Sequence, residues 1–131
     1  MKKMISIVTP TFNESENIEN FCNEVSKKIS ESKYDYEHIV IDNSSNDGTI
    51  EILKELCKKD KKLKVIINKK NFGHIRSPMH GMFQASGDAV ILIMSDFQDP
   101  IELITKYIKE WESGSKVVMG QKDSSDENFL K

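Results

Sequence analysis

Cysteine is scarce, with two residues in 131, and Cys22 and Cys57 fall in separate helix-like segments without the close spacing of a metal site or redox pair. Two reduced, buried thiols are the expectation, which fits a cytoplasmic compartment. An excess of one charge is missing too. The 19 Lys and Arg against 21 Asp and Glu give a formal net charge of -2, no electrostatic reason to expect nucleic acid binding. The lysines from Lys54 to Lys70 are interrupted by Glu55 and Asp60 and preceded by Glu51, so the run reads as a solvated helix face. Long apolar runs are also absent: the longest, Ala89 to Met94, is far too short to span a bilayer. Met1-Lys2-Lys3 leads directly into strand-like Ile5 to Thr9, with no apolar leader core or cleavage site. A soluble cytoplasmic chain is expected, or in a longer protein one at the cytoplasmic face of a membrane. There is no internal repeat, low-complexity tract or linker within 1–120, which reads as one domain. Residues 121–131 have no packing period and read as a loop or disordered tail at a boundary inside a longer protein.

What is present is a regular alternation of strand and helix signals. Ile5-Ser6-Ile7-Val8 is a short β-branched run closed by Pro10. Ile18, Phe21, Cys22, Val25 and Ile29 then recur at three- and four-residue steps, one face of a helix. Ile39-Val40-Ile41 is a second strand, and Ile50, Leu53, Leu56 and Cys57 form the stripe of a second helix. Val65-Ile66-Ile67 is a third strand. A weaker helical pattern follows in Met79, Met82, Phe83 and Ala85, with Ser77 as N-cap and Pro78 at the first helical position. Ala89 to Met94 is a fourth strand. Asp99 as cap, Pro100 at the first position and Glu102 as capping-box partner then open a helix that turns Ile104, Tyr107, Ile108 and Trp111 inward and stops near Gly114. Lys116 to Gly120 reads as a fifth strand. Near-continuous apolar strands separated by amphipathic helices predict an α/β fold, a mostly parallel sheet covered on both faces.

In such a sheet ligands bind beyond the carboxyl ends of the strands, and here those ends are polar. Strand one yields Pro10 to Glu14, strand two Asp42 to Thr49, strand three Asn68 to His74, and strand four Ser95 to Asp99. The first turn lacks the glycine pattern of a dinucleotide fold, which disfavours NAD and FAD. Asp96 and Gln98 alternate across an extended segment, so their oxygens either meet a hard cation, Mg²⁺ or Mn²⁺, or cap a turn and bond the loop. Asp99 is explained by capping. Asp42 ends a buried strand where a carboxylate accepts from a base imino group or a ribose hydroxyl. Asp47, before Gly48-Thr49, is read as a turn or cap residue. Phe12 stacks on a base or covers the sheet end, and Glu14 contacts a nucleotide or favours the helix dipole. His38, His74 and His80 do not have metal-ligand spacing; His74 alone stands on a site loop, within reach of a phosphate.

The strings Val8-Thr9-Pro10-Thr11-Phe12-Asn13-Glu14, Asp42 to Thr49, Asn71-Phe72-Gly73-His74, Ala85-Ser86-Gly87-Asp88 and Ser95-Asp96-Phe97-Gln98-Asp99-Pro100 together resemble the family-2 glycosyltransferases. Their order and spacing cover nearly the whole chain. The Asn-Phe-Gly-His and Gln-Asp-Pro pieces are most similar to the branch that moves sugars onto polyprenyl or dolichyl phosphate. The resemblance implies a Rossmann-like GT-A fold, a UDP- or GDP-linked sugar donor, inversion at the anomeric carbon, and a role in cell-envelope glycan synthesis. It places Pro10, Phe12, Glu14 and Asp42 around the base and ribose, and adds Gly73, His74, Ser95 and Asp96 to the nucleotide-sugar set. Asp96 with Gln98 would hold Mg²⁺ or Mn²⁺ on the diphosphate. It assigns no catalytic base up to Lys131; the acceptor, a lipid phosphate or glycan, would be met beyond it.

Several residues depart from the family pattern. Met94 stands where a carboxylate is usual, Asn43 and Ser44 replace the second aspartate and the glycine of an Asp-Asp-Gly-Ser loop, and Phe12 replaces a frequent tyrosine. Lys122 replaces a frequent arginine, and Pro78 shortens a helix that the family runs through. The alternative is a non-catalytic nucleotide-binding α/β domain that has lost part of its metal site. A receiver-like signalling domain would need an acidic pocket and a late lysine that cannot be assembled here.

Overall fold

The computed structural model describes residues 3–95, 101–114, 118–120 and 129–130. In chain order they form β1 (Met4–Thr11), α1 (Ile18–Ser30), β2 (Asp35–Asp42), α2 (Thr49–Lys59), β3 (Leu63–Ile67), α3 (Gly73–Phe83), β4 (Ala89–Leu92), α4 (Leu103–Glu112), β5 (Val118–Gly120) and β6 (Phe129–Leu130). The sheet order is β3-β2-β1-β4-β5-β6. Every neighbouring pair is parallel except β5 with β6, a two-residue strand within the span read as tail. This is the mostly parallel α/β architecture expected.

The register levels the carboxyl ends. Thr11 pairs with Asp42 and Asp42 with Ile67, while Val8 pairs with Leu92, which brings Ser95 level with Thr11. The chain leaves β1 towards β2 on one side and returns as β4 on the other, so the crevice between β1 and β4 is the switch point of the sheet.

Strand alternation divides the core. Ile5, Ile7, Val40, Ile91 and Ile93 face α1, α2 and α4, where Ile18, Phe21, Val25, Ile29, Leu53, Ile104 and Tyr107 are all buried. Each such side chain contributes roughly 1.5–3 kcal/mol by leaving water. The α1 stripe is the predicted one, residue for residue. Among the described residues, α3 is the helix that packs on the other face. A Cβ on Gly81 would lie 2.9 Å from Val8 Cγ1 and 3.2 Å from Ile41 Cγ2, so the helix can approach the sheet this closely only with glycine there.

That approach corrects the reading of α3. The helix starts at Gly73, and Ser77 and Pro78 lie inside it instead of at its first turn. Its buried residues are Ser77, Pro78 and Gly81, so Met79 and Phe83, expected to face inward, point outward. Small residues allow close packing, and the apolar period marked the wrong side. Cys57 is a second correction: Cys22 is buried, but Cys57 is only half-buried, with its thiol donating to the Lys54 carbonyl at 3.3 Å. Asp99 and Pro100, expected to open α4, fall outside the described residues, as do Lys116 and Lys122. Glu102 stands at the N-cap without a side-chain cap bond.

At the amino end of the sheet, away from the crevice, Glu37 is buried. It accepts Ser6 Oγ at 2.5 Å, Lys64 Nζ at 2.5 Å, and the Ser86 N–H and hydroxyl at 2.7 and 3.0 Å. Burial alone would raise its pKa; the four donors outweigh that and hold it down at about 2.

Candidate functional site

A cleft of about 340 Å³ opens at the switch point. That volume is in the range of small-molecule sites. Each of the first four strands contributes to its wall: Pro10 and Thr11 at the end of β1 with Phe12 and Glu14 after it, Asn43 after β2, Asn71, Gly73, His74, Ser77 and Pro78 after β3, and Met94 and Ser95 after β4.

The first two loops are tied together. Asn13, in the left-handed region at φ 52°, receives Ser45 Oγ as acceptor for its N–H at 2.8 Å and offers its own Oδ1 to the Asn46 N–H at 2.9 Å. The Glu14 N–H donates to Thr49 Oγ1 at 2.9 Å, and the Ser15 N–H to Asp47 Oδ2 at 3.1 Å. Asp47 also accepts the Thr49 N–H and hydroxyl, and those bonds outweigh desolvation to hold its carboxyl at about 2. It is a turn residue, closing the turn into α2, and the N-cap of that helix is Gly48.

Asn43 joins the second loop to the third. Its Oδ1 accepts the Phe72 N–H at 2.8 Å and Asn68 Nδ2 at 3.1 Å, while its Nδ2 donates to Asn71 Oδ1 at 2.9 Å and to the Gly73 carbonyl at 3.3 Å. Asn68 Nδ2 also reaches Ser77 Oγ at 3.0 Å, which fixes α3 to the same network. On the β4 side, Ser95 Oγ donates to Thr11 Oγ1 at 3.0 Å and lies 3.3 Å from the Pro10 carbonyl.

Of the site residues named from sequence, Pro10, Phe12, Glu14, Gly73, His74 and Ser95 all line this cleft. Asp42 does not. It is fully buried behind the wall, with Oδ2 accepting the Ser45 N–H at 2.8 Å and Oδ1 the Ser45 hydroxyl at 2.6 Å. Asp96 and Gln98 fall outside the described residues, and among the described residues no group of three His, Cys, Asp or Glu could hold a metal. Sequence reasoning passed over Asn43 and Asn71 as wall residues and Asn68 as a support. One signal was available: an asparagine stands within a few residues of the end of both β2 and β3.

Residues 6–131 match the family model described as glycosyl transferase family 2. The uncharacterized glycosyltransferase YkcC of Bacillus subtilis is 37% identical over 113 residues, covering 86% of this chain and 35% of that protein. The bactoprenol glucosyl transferase of Shigella phage SfV is 37% identical over 128 residues, 97% of this chain and 42% of that protein. The chain thus spans about two fifths or less of the length of these relatives. Among solved structures, the mannosyltransferase PcManGT from Pyrobaculum calidifontis, in complex with GDP-Man and Mn²⁺, superposes with a TM-score of 0.70 at 19% identity, over 88% of this chain and 34% of that one. S. aureus TarS 1-349 in complex with UDP-GlcNAc gives a TM-score of 0.65 at 25% identity, over 86% and 32%. With the sheet order, the switch-point cleft and these matches together, the chain belongs to glycosyltransferase family 2 and has the GT-A fold.

Proposed function

We propose that the cleft binds the nucleotide of a UDP- or GDP-linked sugar, and that the whole protein transfers that sugar with inversion onto a polyprenyl phosphate or a growing glycan. The observation that carries the reading is the convergence of four strand ends on one cleft at the switch point. Phe12, 45% exposed at the rim, offers a ring face for a base to stack on. Glu14 and Asn71 supply polar atoms for the base and ribose, with Asn43 and Asp42 holding the loops behind them. His74 and the N-terminal turn of α3 stand where a diphosphate would be favoured by the helix dipole.

Asp96 and Gln98 offer hard oxygen donors of the kind Mg²⁺ and Mn²⁺ take. When bound, such an ion neutralises charge developing on the departing nucleoside diphosphate. A lipid phosphate acceptor arrives already anionic and needs no protein base. The relatives' names, a bactoprenol glucosyl transferase among them, favour an acceptor of that class.

Met94 in the cleft wall favours the second reading, a nucleotide-binding domain without transfer, because a thioether can neither bind a hard cation nor accept strongly from a ribose hydroxyl. Calorimetric titration of the chain with UDP and GDP, with Mn²⁺ and with chelator, tests the shared premise. Weak, metal-dependent binding reduced by Asp96→Ala and Phe12→Ala is expected. An absence of heat with both nucleotides in both conditions would remove the reading, and sugar transfer by the whole protein separates enzyme from binder.

A further inference from the structure

The geometry points to the outer face of α3 as a docking surface for an anionic lipid bilayer, lying on the membrane without crossing it. Ile75, Met79 and Phe83 follow one another at four-residue steps along the helix and are 73%, 47% and 77% exposed. Phe72 at the start of the helix continues the same stripe, three residues before Ile75, at 38% exposed. Scattered apolar side chains on a surface need no explanation, but four in line along one helix do.

Charge singles out the occupant. From Lys61 to Gly87 the sequence carries six cations, Lys61, Lys62, Lys64, Lys69, Lys70 and Arg76, and no Asp or Glu, although acids outnumber Lys and Arg 21 to 19 in the chain. This sharpens the reading of the lysine run as a mixed-sign face: the mixing stops at Asp60. Lys62 and Lys64 are taken by Asp35 and Glu37. Lys69, Lys70 and Arg76 are exposed, make no salt bridge to another described residue, and flank the apolar stripe. An apolar stripe bordered by cations is the pattern of helices that lie in the headgroup region of anionic membranes. A second copy of the chain would set the same cations against each other; a bilayer of anionic lipid neutralises them.

The location is consequential. Gly73 and His74 at the start of α3 line the cleft, so a bilayer seated on Ile75 and Phe83 would bring the cleft to the lipid boundary. The inference stands on the surface alone and does not require the transferase reading.

Flotation of the chain with phosphatidylcholine vesicles, with and without phosphatidylglycerol, tests it in the absence of nucleotide. Binding only to the anionic vesicles is expected. Ile75→Ser/Phe83→Ser should weaken it about tenfold or more, and Lys69→Glu/Lys70→Glu roughly tenfold. Unchanged fluorescence of Trp111, on α4, would report an intact fold in each variant. No binding to anionic vesicles overturns the inference. So does binding that the Ile75/Phe83 variant leaves unchanged, or self-association that this variant abolishes without any vesicle binding.

Discussion

Asn43 Oδ1 accepts the Phe72 backbone N–H at 2.8 Å, so a side chain at the end of β2 holds the loop that follows β3. Phe72 is followed by Gly73 and His74, which line the cleft, so the shape of that wall depends on an amide 29 residues earlier in the chain.

Asn43→Ala should cost about 1–3 kcal/mol, because it strands the Phe72 N–H and removes an acceptor from Asn68. Asn43→Asp keeps the acceptor but turns a carboxylate towards Asn71 Oδ1 and the Gly73 carbonyl, where an amide now donates. Urea unfolding should show a loss for both, and hydrogen exchange at the Phe72 and Gly73 amides should accelerate in both. Protection unchanged in Asn43→Ala would mean that the loop is held by something else.

Ser44 sits at φ 70°, a left-handed conformation that a side chain disfavours, at the position where the family usually has glycine. Ser44→Gly should stabilise the fold by about 0.5–1 kcal/mol, the relieved strain being partly offset by the freer unfolded chain. Ser44→Val should cost about 1–2 kcal/mol. Thermal melts of the two variants should therefore move in opposite directions.

The buried His38 should make stability depend on pH from near neutrality downward. Its ring is enclosed beside Phe21, with Nε2 2.9 Å from Thr9 Oγ1, and burial pushes its pKa down from 6.5 to about 3. The folded state thus refuses a proton that the unfolded chain accepts. Its contribution is complete above pH 6.5 and is lost as pH falls towards 3, at about 1.4 kcal/mol per pH unit. Glu37 adds a second loss at lower pH: its carboxyl is held at about 2 against an ordinary 4.5, so stability present above pH 4.5 disappears as pH falls to 2. Urea midpoints at successive pH values should decline in both ranges, and His38→Gln should flatten the segment between pH 6.5 and 4.5 and reduce the slope between 4.5 and 3, where only the Glu37 part would remain. A variant that retained that slope would assign it to another group.

Pro78 lies within α3 and has no N–H to give the His74 carbonyl one turn earlier. Pro78→Ala should raise stability by about 1 kcal/mol net, since the restored bond outweighs the lost ring contacts. The ring lines the cleft, so the same variant should weaken nucleotide binding, and melting read beside calorimetry would register both effects.

The parts of the fold that were legible in the sequence are those with large apolar side chains at a regular period. In α1 the residues that repeat are the residues that are buried, because the helix rests on bulky neighbours. In α3 the same rule failed. There the buried face is Ser77, Pro78 and Gly81, which hydrophobicity does not mark, and Pro78 suggested a helix start that the chain does not make. The site was legible through its loops: six named residues share one wall. The exchange of Asp42 for Asn43 in that wall was not, because one step along a strand turns a side chain to the other face, and only the pairing of β2 fixes which step counts. The amide network was hidden for a further reason. The bonds of Asn43 in it cross 25 to 30 residues, and neither periodicity nor turn propensity encodes that closure.

The sheet order has a consequence for how this chain comes into being. β1, the central strand, finds β2 promptly, but its other neighbour, β4, lies more than 80 residues further on, where the Asp88 carboxylate accepts the Met4 N–H at 2.8 Å and the Gly87 N–H donates to Ser6 Oγ at 2.8 Å. A chain emerging from the ribosome therefore carries β1 with one apolar edge open until Ala89 to Leu92 have been made. Long-range closure of that kind is slow, and the interval before it is when this protein is most exposed to aggregation and to chaperones.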